Sequence, residues 1–345
     1  IRLNLIDLGW SQNFEDKLAQ TKMPDNFQLA RVAIEYKGMY KLYTEKGEVL
    51  AEITGKMRYN NQFPAVGDWV VIDLQDSGEK AIIHDILPRK SKFSRNAAGE
   101  NTREQIIAAN IDTVFIVSSL NQDFNLRRLE RYLTIAWNSG AKPVIVLSKA
   151  DLCEDAQAKK IEVETVAFGV PIHIVSALSG EGLDELEEYL DTGQTAALLG
   201  SSGVGKSTII NQLMGSEKMA VNEIRVSDGK GKHTTTHREL IVLKSGGIVI
   251  DTPGMREIQL WDGNEGIKES FEDIEALSQN CKFNDCQHDS EPGCAVKKAI
   301  EMGELTEKRL ESYRKLEREL LFIERKKKYG TVRAAKLMNK DIFGF

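Results

Sequence analysis

Eight consecutive residues decide the fold of this chain: Gly200-Ser201-Ser202-Gly203-Val204-Gly205-Lys206-Ser207. They match the pattern G-x-x-x-x-G-K-[ST], a loop whose backbone N–H groups close around phosphate oxygens. An apolar strand pattern from Ala196 to Leu199 precedes the loop, and a helical pattern from Thr208 to Met214 follows it. This order of strand, loop and helix distinguishes a phosphate-binding loop from an ordinary glycine-rich turn. We therefore predict a nucleotide-binding α/β domain.

The residue types in and after this loop suit a nucleoside triphosphate. The N-terminus of the following helix, which includes Thr208, adds its dipole to the loop. Lys206 would neutralise the β- and γ-phosphates, and the hydroxyl of Ser207 would bind Mg²⁺. A second pattern, Asp251-Thr252-Pro253-Gly254, follows the apolar strand 247–250. There Asp251 would reach Mg²⁺ and the Gly254 N–H would sense the γ-phosphate.

The base-recognition pattern lies upstream of the phosphate loop. Ser148-Lys149-Ala150-Asp151 is similar to [NT]-K-x-D, with Ser in place of Asn or Thr. Its Asp151 carboxylate can accept both the N1–H and the N2–H₂ of guanine, donors that adenine lacks. Lys149 would cover the base, and Ser176-Ala177 would support it from the other edge. These residues predict selectivity for guanine nucleotides.

The order of these motifs is circularly permuted, because the base-recognition motifs precede the phosphate loop. A parallel sheet tolerates this change, since its strands meet in space whatever their order in the chain. The permutation places the Asp251–Gly254 motif at the end of the domain, directly before residues 262–345. We therefore expect γ-phosphate sensing to be coupled to that segment.

Between the phosphate loop and Asp251 lies a glycine- and threonine-rich stretch, residues 229–237, that suits a nucleotide-dependent switch. One of its three Thr should reach Mg²⁺, and we select Thr236. Met255 follows Gly254 where many such enzymes carry a water-orienting Gln, and Met cannot orient water. The group that positions water must then be His233, a partner, or a potassium ion.

A metal-binding pattern follows, Cys281-x₄-Cys286-x-His288-x₅-Cys294. Three thiolates and one imidazole form a closed tetrahedral set, which favours one structural Zn²⁺ over a catalytic metal. An odd number of clustered Cys with a His among them also argues against a disulfide framework.

The chain outside the nucleotide-binding domain divides into two further parts. Residues 28–90 contain five short alternating strand patterns with glycine turns, which predict a small OB-type barrel. A polar stretch, 91–110, reads as a linker. After Trp261 the pattern becomes helical and charged. We predict domains at 1–100, including the linker, 101–262 and 263–345.

Charge and apolar content restrict the classes of protein to which this chain can belong. The net charge of −6 excludes a nonspecific polyanion binder, yet residues 296–345 carry 14 Lys and Arg against 8 Asp and Glu. This basic tail fits a local contact with RNA phosphates, but charge alone favours a solvated amphipathic helix. No apolar run reaches the ~20 residues that span a bilayer, and no signal pattern opens the chain. We expect a cytoplasmic protein with no membrane partner.

A barrel, a permuted nucleotide-binding domain and a Cys₃His module, in this order, resemble the ribosome small subunit-dependent GTPase A (RsgA) family over nearly the whole chain. Further matches are the stretches 103–112, 231–236 and 251–257. The resemblance implies an OB barrel and a zinc domain that touch 16S rRNA. It implies slow GTP hydrolysis that the 30S subunit stimulates late in assembly, and that His233 helps to position the attacking water.

We therefore expect a monomeric GTP hydrolase that acts on the 30S subunit, with His233, Lys206 and Thr236 as catalytic residues. A GTP-gated RNA-binding switch with incidental hydrolysis is the alternative, and Met255 favours it. A third possibility is a permuted GTPase of the large subunit, but those families lack this combination of barrel and zinc module.

Overall fold

The protein is described from a computed structural model that covers residues 4–19, 26–75, 78–96, 104–215, 238–251 and 265–343. Its strands are β1 (Gln28–Glu35), β2 (Tyr40–Thr44), β3 (Gly47–Ile53), β4 (Trp69–Gln75), β5 (Lys80–Ile86), β6 (Lys92–Asn96), β7 (Glu104–Ala109), β8 (Thr113–Ser119), β9 (Lys142–Ser148), β10 (Ile172–Ile174), β11 (Thr195–Leu199), β12 (Glu239–Val242) and β13 (Ile248–Asp251). Its helices are α1 (Gln12–Ala19), α2 (Gly55–Tyr59), α3 (Leu126–Ser139), α4 (Ala156–Glu164), α5 (Asp184–Glu187), α6 (Lys206–Met214), α7 (Glu265–Ser270), α8 (Glu272–Ser278), α9 (Ala295–Glu301), α10 (Glu307–Tyr329) and α11 (Thr331–Phe343).

The first five strands form a closed barrel, as the sequence predicts. They pair in the order β1-β2-β3-β5-β4, and β4 returns to pair with β1, which closes the sheet on itself. Alternate side chains of each strand fill the interior, for example Leu42 on β2 and Ile83 on β5. Helix α2 covers one end, where Thr54 accepts from the Met57 N–H and Met57 is buried in the barrel core. This is the OB-type arrangement expected for residues 28–90.

The nucleotide-binding domain is an α/β sheet with the order β10-β9-β8-β11-β13-β12. All neighbours are parallel except β12 and β13, which form an antiparallel hairpin. Strand β11, which leads into the phosphate loop, lies between β8 and β13. Because the carboxyl ends of parallel strands meet at one edge, the ends of β9, β11 and β13 gather their motifs there.

The barrel is joined to the nucleotide-binding domain through backbone and side chain. Strand β12 pairs with β1 at Ile34 and Glu239, so the two sheets are continuous. The fully buried Arg31 of β1 donates to the Gly67 carbonyl at 3.2 Å and to Thr195 Oγ1 at 3.0 Å. It also donates to the carbonyls of Asn110, at 3.2 Å, and of Leu8. Burial lowers the pKa of Arg31 to about 10, so its side chain is still a cation at neutral pH.

The prediction of a linker at 91–110 is wrong for its described residues, because β6 and β7 form an antiparallel pair there. Three apolar side chains of the pair, Phe93, Ile107 and Ala108, are almost fully buried. Polar side chains beside them, such as Arg95, hid these few apolar positions among the turn-forming residues. A half-buried two-stranded sheet has the average composition of a loop.

The C-terminal part is helical and packs on α3 of the nucleotide-binding domain. Helix α7 lies against α3, and Gly266 sits so close that a Cβ there would come within 2.4 Å of the Thr134 carbonyl. Arg309 of α10 is buried at this junction, where it pairs with Glu130 of α3 at 2.7 Å and Asp273 of α8 at 3.0 Å. The guanidinium also lies over the Phe271 ring, 4.3 Å from its centroid.

The domain boundaries at 100/101 and 262/263 stay predictions, since both fall outside the described residues. Among the helices that are described, none combines the length and the apolar character needed to cross a membrane.

Candidate functional site

The phosphate loop has the backbone that its glycines dictate. Gly200 lies against β8, where a Cβ would come within 2.4 Å of the Val117 carbonyl. Gly205 adopts a left-handed conformation, φ +100°, directly before α6. The Lys206 ammonium returns over the loop and donates to the carbonyls of Gly200 at 2.8 Å and Ser201 at 2.5 Å. The cation therefore lies at the mouth of the loop.

The other residues of the phosphate loop differ in how far they are exposed. Val204 is buried, whereas Ser202 and Gly203 are exposed. Ser207 and Thr208 lie half-buried in the first turn of α6, where their N–H groups belong to the open end of the helix. A helix N-terminus with these free donors is a favourable place for an anion.

Asp251 ends β13, the strand beside β11, and is half-buried. Burial raises its pKa to about 6; the Lys206 ammonium opposes this rise, and the carboxylate of Glu239 on β12 adds to it. A buried carboxylate of this kind is stabilised in its charged form by a bound cation. Asp251 therefore suits Mg²⁺.

Three predicted residues, Gly254, His233 and Thr236, lie outside the described residues. Their roles stay predictions, and so does the coupling of γ-phosphate sensing to the segment after residue 262.

The base-recognition motifs meet at the ends of β9 and β10. Lys149 adopts a left-handed conformation, φ +59°, that turns the chain into a 3-10 helix at Ala150–Leu152. The Ala150 N–H donates to the Val175 carbonyl at 3.1 Å. Ser176 then donates its hydroxyl to Asp151 Oδ1 at 2.6 Å. These bonds orient the exposed Asp151 carboxylate at the rim of the site.

Ser148 connects the base-recognition motif to the phosphate loop. Its buried hydroxyl donates to the Val204 carbonyl at 2.6 Å, across 56 positions of sequence. The departure from Asn or Thr at this position therefore retains a donor where the fold uses one. Gln212 of α6 adds a second link, since its side-chain amide donates to the Ala177 carbonyl at 2.9 Å.

Sequence reasoning missed Gln212, and it also missed Arg128 on α3. The Arg128 guanidinium donates to the hydroxyl of Ser201 in the phosphate loop. Both residues lie outside any motif, so no local pattern marks them. Only the spatial neighbourhood of β8, β11 and α6 brings them to the site.

The predicted metal ligands converge. The ligand atoms of Cys281, Cys286, His288 and Cys294 all lie within 4.8 Å of one another. The distance from His288 Nδ1 is 3.4 Å to Cys294 Sγ and 3.7 Å to Cys281 Sγ. Zinc–ligand bonds of about 2.0–2.3 Å in a tetrahedron give edges of about 3.3–3.8 Å. The cluster therefore has the dimensions of a four-coordinate metal site.

The surroundings of the cluster favour the ligand forms of Cys281 and His288, whereas burial raises the pKa of Cys286 to about 11 and favours its thiol. Burial would raise the pKa of Cys281, but N–H groups of Ala295 and Val296 outweigh burial and lower it. Burial, together with the nearby Arg314 guanidinium, lowers the pKa of His288, which favours the neutral imidazole. Thiolate and neutral imidazole are the forms that bind a metal such as zinc.

Hydrogen bonds to Glu291 stabilise the loop between the last two predicted ligands, His288 and Cys294. Glu291 accepts from the N–H groups of Gln287 at 2.9 Å and Asp289 at 2.8 Å, and these bonds lower its pKa to about 2. Arg314 of α10 donates to the carbonyl of His288. The ligand loop is thus attached to the long helix α10.

The sequence of this chain is similar to those of known proteins. The family model of the RsgA GTPase matches residues 86–261. The chain is 50% identical over 325 residues to small ribosomal subunit biogenesis GTPase RsgA 2 of Lactiplantibacillus plantarum, covering 93% of this chain and 90% of the relative. This chain belongs to the RsgA GTPase family.

Solved structures agree with the predicted fold. The crystal structure of YjeQ from Thermotoga maritima has a TM-score of 0.64 at 30% identity, over 86% of this chain and 99% of that one. That of YloQ, described as a circularly permuted GTPase, has a TM-score of 0.60 at 25% identity, over 87% and 98%. The circular permutation, inferred from the order of the motifs, and the predicted three-part fold are both confirmed.

Proposed function

We propose that this chain hydrolyses GTP to GDP and phosphate during biogenesis of the small ribosomal subunit, as the name of its L. plantarum relative states for that protein. The observation that carries the proposal is the bond from Ser148 to the Val204 carbonyl. It holds the base-recognition loop against the phosphate loop, so one guanine nucleotide can contact Asp151 and Lys206 together.

In this proposal each part of the site has one task. Asp151, oriented by Ser176, reads the guanine edge, and Lys149 covers the ring. Lys206 and the N–H groups of the phosphate loop hold the phosphates and offset charge that develops during transfer. Ser207, Asp251 and Thr236 would hold Mg²⁺, and His233 would position the attacking water, with a partner or a potassium ion as the alternatives. The Cys₃His cluster holds one structural Zn²⁺.

We further propose 16S rRNA as the nucleic-acid partner, contacted in part by the hairpin of α10 and α11. Between Arg325 and Lys340 the chain has seven Lys and Arg and no Asp or Glu. The rest of the molecule is correspondingly acidic, so this hairpin is the place where RNA phosphates would be attracted. We propose that the protein is a cytoplasmic monomer, as expected for a factor that visits assembling subunits.

The decisive experiment measures GTP turnover across a titration of 30S subunits, with 50S subunits as the control particle. Stimulation by 30S alone supports the proposal. Equal effects of both particles would contradict it. GTP-dependent binding to 30S without stimulation would instead support the GTP-gated switch, which Met255 favours.

Base selectivity is tested separately by Asp151→Asn. This change replaces one acceptor of the carboxylate with a donor, so guanine loses a bond and xanthine gains one. We expect affinity for GDP to fall by about 100-fold or more and affinity for XDP to rise. Unchanged preference for GDP in a direct titration would remove Asp151 from the base site.

A further inference from the structure

Arg128 is held rigidly beside the phosphate loop. It lies in the first turn of α3, where its N–H donates to the capping side chain of Asn125 at 3.1 Å. Its guanidinium binds the Asp123 carboxylate through Nη1 at 2.9 Å and Nη2 at 3.0 Å, and Nη2 also donates to the Asp123 carbonyl at 3.0 Å. Two planar groups paired in this way fix each other's orientation.

The remaining contact of this guanidinium is the Ser201 hydroxyl. Ser201 is the second residue of the phosphate loop, and its carbonyl accepts the Lys206 ammonium at 2.5 Å. A chain of polar contacts therefore runs from Asp123 through Arg128 and Ser201 to Lys206. Because Asp123 neutralises the charge of Arg128, the contact acts on geometry more than on the electrostatic potential at the phosphates.

We propose that Arg128 is a positioning residue for the phosphate loop: it fixes Ser201, and through Ser201 the place of the Lys206 ammonium. The proposal rests on the proposed nucleotide site and adds to it a residue that no motif contains. Loss of Arg128 should weaken binding of both GDP and GTP, because both carry the phosphates that Lys206 contacts.

The same helix connects this contact to the C-terminal part. Glu130, two residues further on, pairs with Arg309, and Arg131 forms a two-bond pair with Glu319 of α10 at 2.5 and 2.7 Å. A straight helix moves as one body over these few residues. Ser201 is thus connected through α3 to α10, and this path joins the phosphate loop to the metal-binding part of the chain.

The test is a double-mutant cycle on the full-length protein. Arg128→Ala and Ser201→Ala are compared singly and together, with fluorescent GDP and GTP analogues as probes. Each single change should weaken both nucleotides by about tenfold, the worth of one charge-assisted hydrogen bond. The double variant should be no weaker than either single one, because both changes remove the same contact.

Arg127→Ala is the matched control, since Arg127 precedes Arg128 on α3 but pairs at the surface with Glu311. It should leave both affinities unchanged. Arg128→Lys keeps the positive charge but cannot pair with Asp123 through two parallel hydrogen bonds. It should therefore recover only part of the nucleotide affinity. Melting temperatures of all variants should match the parent, which a merely structural role of Arg128 would not give.

Additive losses in the double variant, or unchanged affinity in Ser201→Ala, would overturn the proposal. Ser201→Ala also decides the matter if Arg128→Ala does not fold. Failure of the parent protein to prefer GDP over ADP in the same titration would count against the proposed function instead, so the two failures are distinguishable.

Discussion

Two buried arginines hold the molecule together at its two junctions, and they do so in different ways. Arg31, between the barrel and the nucleotide-binding domain, has four neutral acceptors: three backbone carbonyls and the Thr195 hydroxyl. Arg309, between α3 and the C-terminal helices, has two carboxylates, Glu130 and Asp273, and the Ser270 carbonyl. The first junction also has backbone pairing between β1 and β12, whereas the second is made by helices that meet mainly through side chains.

The difference indicates which junction can rearrange. Backbone acceptors cannot change rotamer, and a paired strand cannot slide without losing its register. Helices that meet through side chains can shift and form new pairs at small cost. We therefore expect the barrel and the nucleotide-binding domain to move as one body. The C-terminal helices should be the part that changes position when the bound nucleotide changes.

Removal of the metal should cause the largest loss of stability, and this loss should be confined to the C-terminal helices at the second junction. Structural zinc contributes on the order of 10 kcal/mol to the folding of small modules. A chelator should therefore expose the amides of α9 to hydrogen exchange and leave those of β1 to β5 protected. Cys294→Ser should have the same result, while Cys153→Ser, which changes the cysteine outside the cluster, should not. Loss of protection in the barrel would mean that the junctions are not independent.

Arg309→Met should lower the free energy of unfolding by about 4 kcal/mol, since it leaves the Glu130 carboxylate buried without its cation. The double variant Glu130→Met/Arg309→Met should recover most of that loss, because two apolar side chains replace the pair. Urea denaturation of the parent, single and double variants measures both values. A double variant no more stable than the single one would show that the pair cannot be repacked.

Arg31→Met should lower the free energy of unfolding by about 3 kcal/mol, since it leaves several buried oxygens without a donor. No second substitution can restore it, because three of the acceptors are backbone. Fluorescence of Trp69, whose ring lies 5.8 Å from the guanidinium carbon, should report the transition. Recovery by Thr195→Val would contradict this view of the junction.

Glu35→Gln should have the smallest effect. Glu35 pairs with Arg238 at 3.2 Å where β1 meets β12, and burial raises its pKa despite that pairing. A raised pKa means that the protonated acid fits the folded state better than the carboxylate, so Gln should be favoured at pH 8. We expect a gain below about 1 kcal/mol in urea denaturation, fading as pH falls and the parent takes up the proton. A loss at pH 8 would show that the ion pair outweighs burial.

The sequence predicted what is encoded locally. The glycines of the phosphate loop, the four predicted metal ligands and the alternation of the barrel strands each lie within a short window. The structure brings the four side chains together and forms the predicted barrel, while the metal-binding role stays a prediction. The β6–β7 pair was missed because it contains only a few buried apolar residues. The roles of the two buried arginines were not predicted because their partners are remote in sequence. Thr195 is 164 positions from Arg31, and Glu130 is 179 positions from Arg309. Local composition does not distinguish such an arginine from one at the surface.

The strand order also has a consequence for synthesis of the chain. As residues emerge from the ribosome, β9 adds to β8, β10 adds to β9, and β11 adds to the other edge of β8. No strand up to that point has to insert between two that are already paired. The hairpin of β12 and β13 arrives last and fills the space between β11 and β1 of the barrel. Emergence of residue 251 from the ribosome is therefore the point at which the barrel and the incomplete sheet can join into one cooperative unit.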